Sequence, residues 1–242
     1  MLKKILNIAH RGSRYRSPEN TISSFRKAIA EGADYLELDV RLSGDKHVVV
    51  SHDARLNRTS NGSGRIRRQN LSQLKSLDFG AWFHEDFKNE SMPTLKEVLE
   101  TFPDTGLNIE IKAPGMEMHL VQLLQDYSHR KDIIISSFFI NILKRVQKFN
   151  SKIPLGLIIS QEFGWQRKIY LCRELNFFSV HMEQSLIRED VINEVRNSNL
   201  EMIPWTRTVL SDERVLELIK FEIYGLINDF PEQLPKLVNQ LP

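Results

Sequence analysis

Apolar residues fall along the chain in two recurring patterns. Short segments that are apolar throughout, or at every second position, predict strands over 5–10, 35–40, 47–52, 107–112, 133–137, 155–159, 177–181, 201–205 and 225–229. Between them, apolar positions three and four apart predict helices. Residues 18–31 carry Phe25, Ala28 and Ile29 on one face, with Pro18 suited to a first helical position and Gly32 to a stop. Thr94 and Glu97 spell a capping box ahead of Val98, Leu99 and Phe102, and Leu120, Leu123 and Leu124 mark another face. Later helices are expected over 142–149, 166–175, 189–197 and 212–221. Strand followed by helix, repeated, is the order of βα units around a parallel sheet. The nine strand segments exceed the eight of a closed β/α barrel, so one is expected to pair outside the ring. The pattern does not say which.

The rhythm breaks over 53–92, where turn-rich Asn61-Gly62-Ser63-Gly64 gives way to Leu71, Leu74 and Leu77 and then to Phe79, Trp82, Phe83 and Phe87. This stretch reads as an insertion packed over the C-terminal rim of a single barrel domain spanning 1–242. A chain of 242 residues with 41% hydrophobic content has the size and core of such a fold, so the expected class is α/β, a TIM-type (β/α)8 barrel. The net charge of +2, with Lys and Arg spread along the chain, gives no nucleic-acid footprint. No segment has membrane-spanning length, so no stable membrane insertion is expected. The lone Cys172 forms no internal disulfide and no secretion signal is evident, which together read as cytoplasmic. The sequons at Asn57, Asn61, Asn70 and Asn89 then serve as turns and caps. Nothing in the pattern sets the oligomeric state.

Candidate chemistry gathers at the ends of the predicted strands. Positions two apart in a strand share a face, so Glu37 and Asp39 aim together into the barrel mouth while Leu38 and Val40 face away. Glu110 and Lys112 repeat the device on a second strand, adding a third carboxylate and a cation. Three hard oxygen ligands suit one divalent cation, Mg²⁺ or Ca²⁺, and not a thiolate-loving metal; the alternative is a set of strand-end salt bridges. His10 and His52 end two apolar segments at the face where β/α barrels build active sites. An imidazole titrating near neutrality can act there as acid or base. A single strand-end histidine would more simply be a satisfied structural residue, but two beside a carboxylate cluster point to catalysis. Arg11 offers a fork of donors suited to a phosphate oxygen, with an ion pair to Glu19 or Glu37 as its competing use. Ser24 opens a formal S-x-x-K with Lys27, yet it lies within an amphipathic helix and lacks companion motifs. Gly62-Ser63-Gly64 is neither a P-loop nor a nucleophile elbow and reads as a turn.

In order, His10-Arg11-Gly12, Pro18-Glu19-Asn20-Thr21, Glu37-Leu38-Asp39-Val40, His52-Asp53, Pro93-Thr94-Leu95, Glu110-Ile111-Lys112, Trp205-Thr206 and Asp229-Phe230-Pro231 resemble the pattern of the glycerophosphodiester phosphodiesterase family, a PI-PLC-like barrel. The likeness covers nearly the whole chain. It implies a β/α barrel with a small insertion after the His-Asp segment, a divalent cation, and cleavage of small-molecule glycerophosphodiesters to glycerol 3-phosphate and an alcohol. Residue by residue it implies His10 and His52 as the acid/base pair, Arg11 and Lys112 as phosphate ligands, and Glu37, Asp39 and Glu110 as metal ligands. Trp205 then lines the pocket, and Phe138, which follows another strand at the same rim, is placed to pack on the glycerol side.

The chain departs from the family pattern at Asp45-Lys46, where aspartate-glycine is usual, at Arg207-Thr208 after Trp205-Thr206, and at Asn228 before Asp229. These departures bear on substrate preference and not on reaction class. Arg207 is expected to face solvent, and His181, at another strand end, to be structural. The leucines and aromatics of 53–92 suit packing, and Arg55, Arg58, Arg65, Arg67 and Arg68 suit a solvated basic face. The expected substrate is therefore a soluble deacylated diester such as glycerophosphocholine or glycerophosphoethanolamine, with broad tolerance of the alcohol group because the expected contacts concentrate on phosphate and glycerol. The rival readings are a lysophospholipase D-type lipid phosphodiesterase and a catalytically silent barrel that binds phosphodiesters.

Overall fold

Alternation within the strands sends one set of side chains outward to the helices and the other inward, and the sheet closes around the inner set. The computed structural model describes residues 4–206 and 208–239. Its strands are β1 (Leu6–His10), β2 (Tyr35–Leu42), β3 (Val48–Val50), β4 (Gly106–Ile111), β5 (Ile133–Ser137), β6 (Leu155–Ile159), β7 (Ser179–Glu183), β8 (Glu201–Trp205) and β9 (Gly225–Asn228). All except β3 run parallel, and the ring closes because β1 pairs with both β2 and β9. The helices are α1 (Ile22–Ala30), α2 (Leu71–Lys75), α3 (Leu95–Thr101), α4 (Glu117–Gln125), α5 (Ile140–Phe149), α6 (Trp165–Glu174), α7 (Glu189–Asn197), α8 (Asp212–Lys220) and α9 (Gln233–Val238). The architecture is a TIM-type (β/α)8 barrel.

Leu36, Leu38 and Val40 of β2 and Leu107, Ile109 and Ile111 of β4 face outward into the main core with Phe25 and Ala28 of α1 and Val98 and Leu99 of α3. A separate cluster of Ile8, Ile134, Ile203 and Ile227 joins β1, β5, β8 and β9. Each strand thus divides its residues between two layers, as the sequence alternation requires.

The surplus strand is β3, antiparallel to the outer end of β2 with Val40 opposite Val50 and Leu42 opposite Val48. The strand expected over 47–52 is shorter than the pattern suggests. Beyond Val50 the chain turns to its neighbours: Ser51 N donates to Asp39 O at 2.8 Å, and His52 lies past the strand end and not on it. Because β2 outruns the ring and β3 doubles back, His52 returns to the level of Asp39 at the mouth.

The helix expected over 18–31 begins only at Ile22. Thr21 caps it, accepting from Ser24 N at 3.2 Å, and Asn20 holds a left-handed backbone with φ 60° that cannot continue a helix. Pro18 therefore precedes the helix, its carbonyl accepting from Thr21 Oγ1 at 2.7 Å.

Within 53–92, Leu56, Ile66, Leu74, Phe79 and Met92 cluster with Val49 of β3. Trp82 departs from the expected packing. It is 40% exposed, in an edge-to-face chain with Phe83 and Phe87. Asn70 caps α2 in a capping box with Gln73, Asn61 Oδ1 accepts from Asp78 N at 2.9 Å, and Asn57 Oδ1 accepts from Gly64 N at 3.3 Å. Among the described residues no helix is long and apolar enough to cross a membrane.

Candidate active site

Parallel register brings the three acids together. Asp39 on β2 stands beside Glu110 on β4, and Glu37 beside Asn108, so all point to the inner face of adjacent strands. Ligand oxygens of Glu37, Asp39 and Glu110 lie within 4.8 Å of one another, and all three residues are buried. Two cations answer these three charges. Lys112 Nζ lies 2.8 Å from Asp39 Oδ1 and 2.6 Å from Glu110 Oε1, and Arg11 Nε lies 3.3 Å from Asp39 Oδ2.

The mismatch shows in the proton affinities. Burial, then the charges of Asp39 and Glu110, pushes Glu37 well above the usual carboxylate range. Burial and the Asp39 charge raise Glu110 to about 7. Burial also acts to raise Asp39, but Lys112 and Arg11 outweigh it and hold that carboxyl far below its ordinary value. Three buried carboxylates answered by two cations leave a cluster of hard oxygens with surplus negative charge, which fits a divalent cation.

The loop from β1 to α1 wraps this cluster. Arg11 N donates to Glu37 Oε2 at 3.0 Å, and Arg11 Nη1 to Glu19 Oε1 at 3.0 Å, so both competing acids expected for Arg11 are engaged, Glu37 through the backbone. Arg11 itself has φ 58° and Gly12 φ 82°. A Cβ on Gly12 would stand 2.4 Å from Ser24 Oγ and 2.8 Å from Ser24 backbone, so only glycine brings the loop this close to α1. Ser24 Oγ donates to Arg11 O at 3.1 Å, which gives the hydroxyl of the formal S-x-x-K an anchoring task.

Two histidines face the acids, each held by an aspartate. His10 Nδ1 lies 2.7 Å from Asp229 Oδ1, just past β9, and His52 Nδ1 lies 2.7 Å from Asp53 Oδ1. A carboxylate at Nδ1 fixes the tautomer in which Nε2 is free to accept a proton. Burial pushes both imidazoles below the ordinary histidine range; the hydrogen bond to Asp229 opposes it at His10, and the charge of Asp39 opposes it at His52.

Apart from Asp39, which is fully buried, the residues expected from sequence to hold metal, phosphate, proton or glycerol line one cavity of about 390 Å³: His10, Arg11, Glu37, His52, Glu110, Lys112, Phe138 and Trp205. Phe138 and Trp205 meet edge to face at 6.0 Å, and Lys112 Nζ sits 5.9 Å from the centre of the Phe138 ring. His181 also lines this cavity, buried and bonded to Ser179 Oγ at 2.9 Å. Arg207 lies outside the described residues.

Sequence reasoning assigned no task to Asn20, Asp53, Asp229 or Arg14. Asn20 Nδ2 donates to Asp39 Oδ2 at 2.8 Å, and Arg14 Nε lies 3.3 Å from Asp229 Oδ1. Their signal was present as the Pro-Glu-Asn-Thr, His-Asp and Asp-x-Pro segments, but not what each side chain holds. Arg58, expected on a solvated face, is exposed and is also paired to Glu19 and Asp53.

Acids from adjacent parallel strands, facing two aspartate-held histidines at the C-terminal mouth, make this a barrel of the hydrolytic enzyme kind. The chain belongs to the glycerophosphoryl diester phosphodiesterase family, whose family model matches residues 10–233. It is 36% identical over 244 residues to the glycerophosphodiester phosphodiesterase of Caldanaerobacter subterraneus subsp. tengcongensis, covering 98% of this chain and 99% of that protein. Among solved structures, an Oleispira antarctica phosphodiesterase in complex with the product sn-glycerol-3-phosphate matches with a TM-score of 0.86 at 29% identity, over 99% of this chain and 98% of that one. A glycerophosphodiester phosphodiesterase from Thermotoga maritima matches at 0.78 and 31% identity, over 97% and 99%.

Proposed function

We propose that the protein hydrolyses soluble glycerophosphodiesters to glycerol 3-phosphate and an alcohol, as a single barrel domain with 53–92 as an insertion beside the mouth. The observation that carries this reading is the cavity itself, where two aspartate-held imidazoles face a buried carboxylate triad. Family membership and the product-bound Oleispira relative support a small glycerol-containing substrate.

In this reading, Arg11 and Lys112 donate to phosphate oxygens, while the apolar wall of Phe138 and Trp205 packs on glycerol and excludes water. One imidazole takes the proton of the attacking hydroxyl at its free Nε2, and the other protonates the departing oxygen. Asp229 and Asp53 stabilise the imidazolium that forms. Glu37, Asp39 and Glu110 hold one divalent cation, Mg²⁺ or Ca²⁺, which supplies charge stabilisation to the phosphoryl oxygens when bound.

The test is turnover of glycerophosphocholine and glycerophosphoethanolamine by purified protein, with and without chelator, beside lysophospholipid micelles and vesicles. Soluble diesters are expected to be hydrolysed, with activity lost on chelation and restored by Mg²⁺ or Ca²⁺. Full activity of exhaustively chelated Glu37→Gln protein would remove the metal site. Preference for the lipids would favour the phospholipase D reading, and no turnover at all would leave a binding barrel.

A further inference from the structure

Beside the catalytic cavity lies a larger groove of about 820 Å³, and His52 lines both. Arg41, Lys46, Arg55, Arg65 and Arg67 form much of its wall. Asp53 is the one carboxylate among its lining residues, and both of its oxygens are taken, Oδ1 by His52 and Oδ2 by Arg58, each at 2.7 Å. Arg41 is aimed by a hydrogen bond from Nε to His52 O at 2.9 Å and has no carboxylate partner among the described residues. The side chains of Lys46, Arg55, Arg65 and Arg67 carry no hydrogen bond or ion pair among the described residues.

The contrast with the rest of the site is one of charge balance. Arg11, Arg58 and Lys112 each form ion pairs with carboxylates, whereas none of these five does so among the described residues, Arg41 feeling Asp39, Asp53 and Glu110 only from a distance. The whole chain carries 33 basic and 31 acidic residues, so the excess in the groove is local. Like charges gathered around one concavity repel, and an anion placed among them relieves the repulsion. The cations are also held ready. Arg55 and Arg65 face each other in an antiparallel backbone bridge, Leu56 N donates to Gly64 O at 3.0 Å and Ile66 N to Ala54 O at 3.1 Å, and Ile66 anchors the turn in the small core.

We propose that this groove receives the alcohol portion of the substrate and selects alcohols that carry a negative charge, a further phosphate above all. This rests on the adjoining cavity being the hydrolytic site proposed above. The scissile phosphate sits among Arg11, Lys112 and the histidines, and the alcohol leaves past His52 into the groove. The volume admits a group larger than glycerol, and the open, cationic wall gives no contact suited to a quaternary ammonium head. The same anionic group can arrive on a free diester or on a lysolipid headgroup.

The clean comparison is glycerophosphoinositol against glycerophosphoinositol 4-phosphate, which differ only by one phosphate on the alcohol. The readout is the ratio of kcat/KM for the phosphorylated to the unphosphorylated diester, which general damage to folding or chemistry does not move. A ratio on the order of tenfold or more is expected at low ionic strength, falling toward one in high salt. It is also expected to collapse in Arg55→Glu/Arg65→Glu/Arg67→Glu, whose positions are exposed. A wild-type ratio near one for both the soluble diesters and the vesicle-borne lipids, or a ratio unchanged by the triple substitution, overturns the groove. Lysophosphatidylinositol 4-phosphate in neutral vesicles forms the second arm, and a preference confined to vesicles assigns the group to a lipid headgroup. If no diester is turned over, the hydrolytic reading fails by itself. Calorimetric binding of inositol 4-phosphate to wild-type and triple-variant protein then decides the groove, with no wild-type binding counting against it.

Discussion

Two side chains that differ little in the sequence sit in unequal surroundings in the fold. The imidazole of His10 is 14% exposed and backed by Asp229, which is itself paired to Arg14; that of His52 is 35% exposed and backed by Asp53, paired to Arg58. Each is therefore oriented by a carboxylate that a guanidinium holds in turn. Neither contributes an apolar side chain to a core cluster. Replacing either by Ala is expected to lower turnover by roughly 10²-fold or more while far-ultraviolet circular dichroism stays native. Unfolding of both variants would mark them as structural instead. At this scale the sequence exposed the residue types and hid their partners. Asp229 follows the last barrel strand, 219 positions from His10, and no local pattern joins them.

Between residue and molecule, the segments that meet at the mouth are tied by one guanidinium. Arg58, from the stretch 53–92, donates from Nη1 and Nη2 to the two oxygens of Glu19 at 2.9 and 2.8 Å and from Nε to Asp53 Oδ2 at 2.7 Å. The turn before α1 and the start of the stretch 53–92 are thereby locked to each other, and the lock ends on the aspartate bonded to His52. Since Arg58 is 44% exposed, its ion pairs add little to global stability. Under the proposed mechanism its geometric effect is larger, because a small displacement of His52 would take proton transfer out of alignment. Arg58→Ala is expected to reduce kcat by about tenfold with a small change in melting temperature, and Arg58→Lys, which lacks the bidentate fork, to recover only part. Steady-state kinetics alongside calorimetry measure both; a wild-type kcat in Arg58→Ala would dismiss the clamp. The strands of the ring were legible because alternation and apolar runs are local signals. The end of β3 at Val50 and the start of α1 at Ile22 were not, since each answers to a tertiary contact with Asp39, through Ser51 N and through Asn20 Nδ2. The register that sets Asp39 beside Glu110 is likewise a property of two strands together.

Closure of the ring is what makes the separate motifs one site: β1 lies between β2 and β9, so His10 comes beside Glu37 on one side and Asp229 on the other. The same closure buries His181 inside the barrel, completely shielded, with Nε2 on Ser179 Oγ and Nδ1 without a hydrogen-bond partner among the described residues. Gly156 on neighbouring β6 makes the room, since a Cβ there would stand 2.3 Å from His181 Nε2. Burial pushes the imidazole down to about 3. Above the ordinary histidine value of about 6.5 neither folded nor unfolded chain protonates this group. As the pH falls below it, the unfolded chain takes up a proton that the folded chain refuses, so stability present at neutral pH is lost progressively until about 3. One such proton changes the stability by ~1.4 kcal/mol for each unit of pH within that window, an upper bound amounting to a few kcal/mol in all. His181→Asn keeps a polar group near Ser179 and removes the titration. Its stability is expected to be lower than wild type at pH 7.5 by ~1–3 kcal/mol, from the disturbed packing and hydrogen bond, yet to fall less steeply toward pH 4 so that the two curves converge. Urea unfolding followed by circular dichroism at several pH values measures this, and parallel curves for the two proteins would show that His181 does not set the acid sensitivity of the barrel.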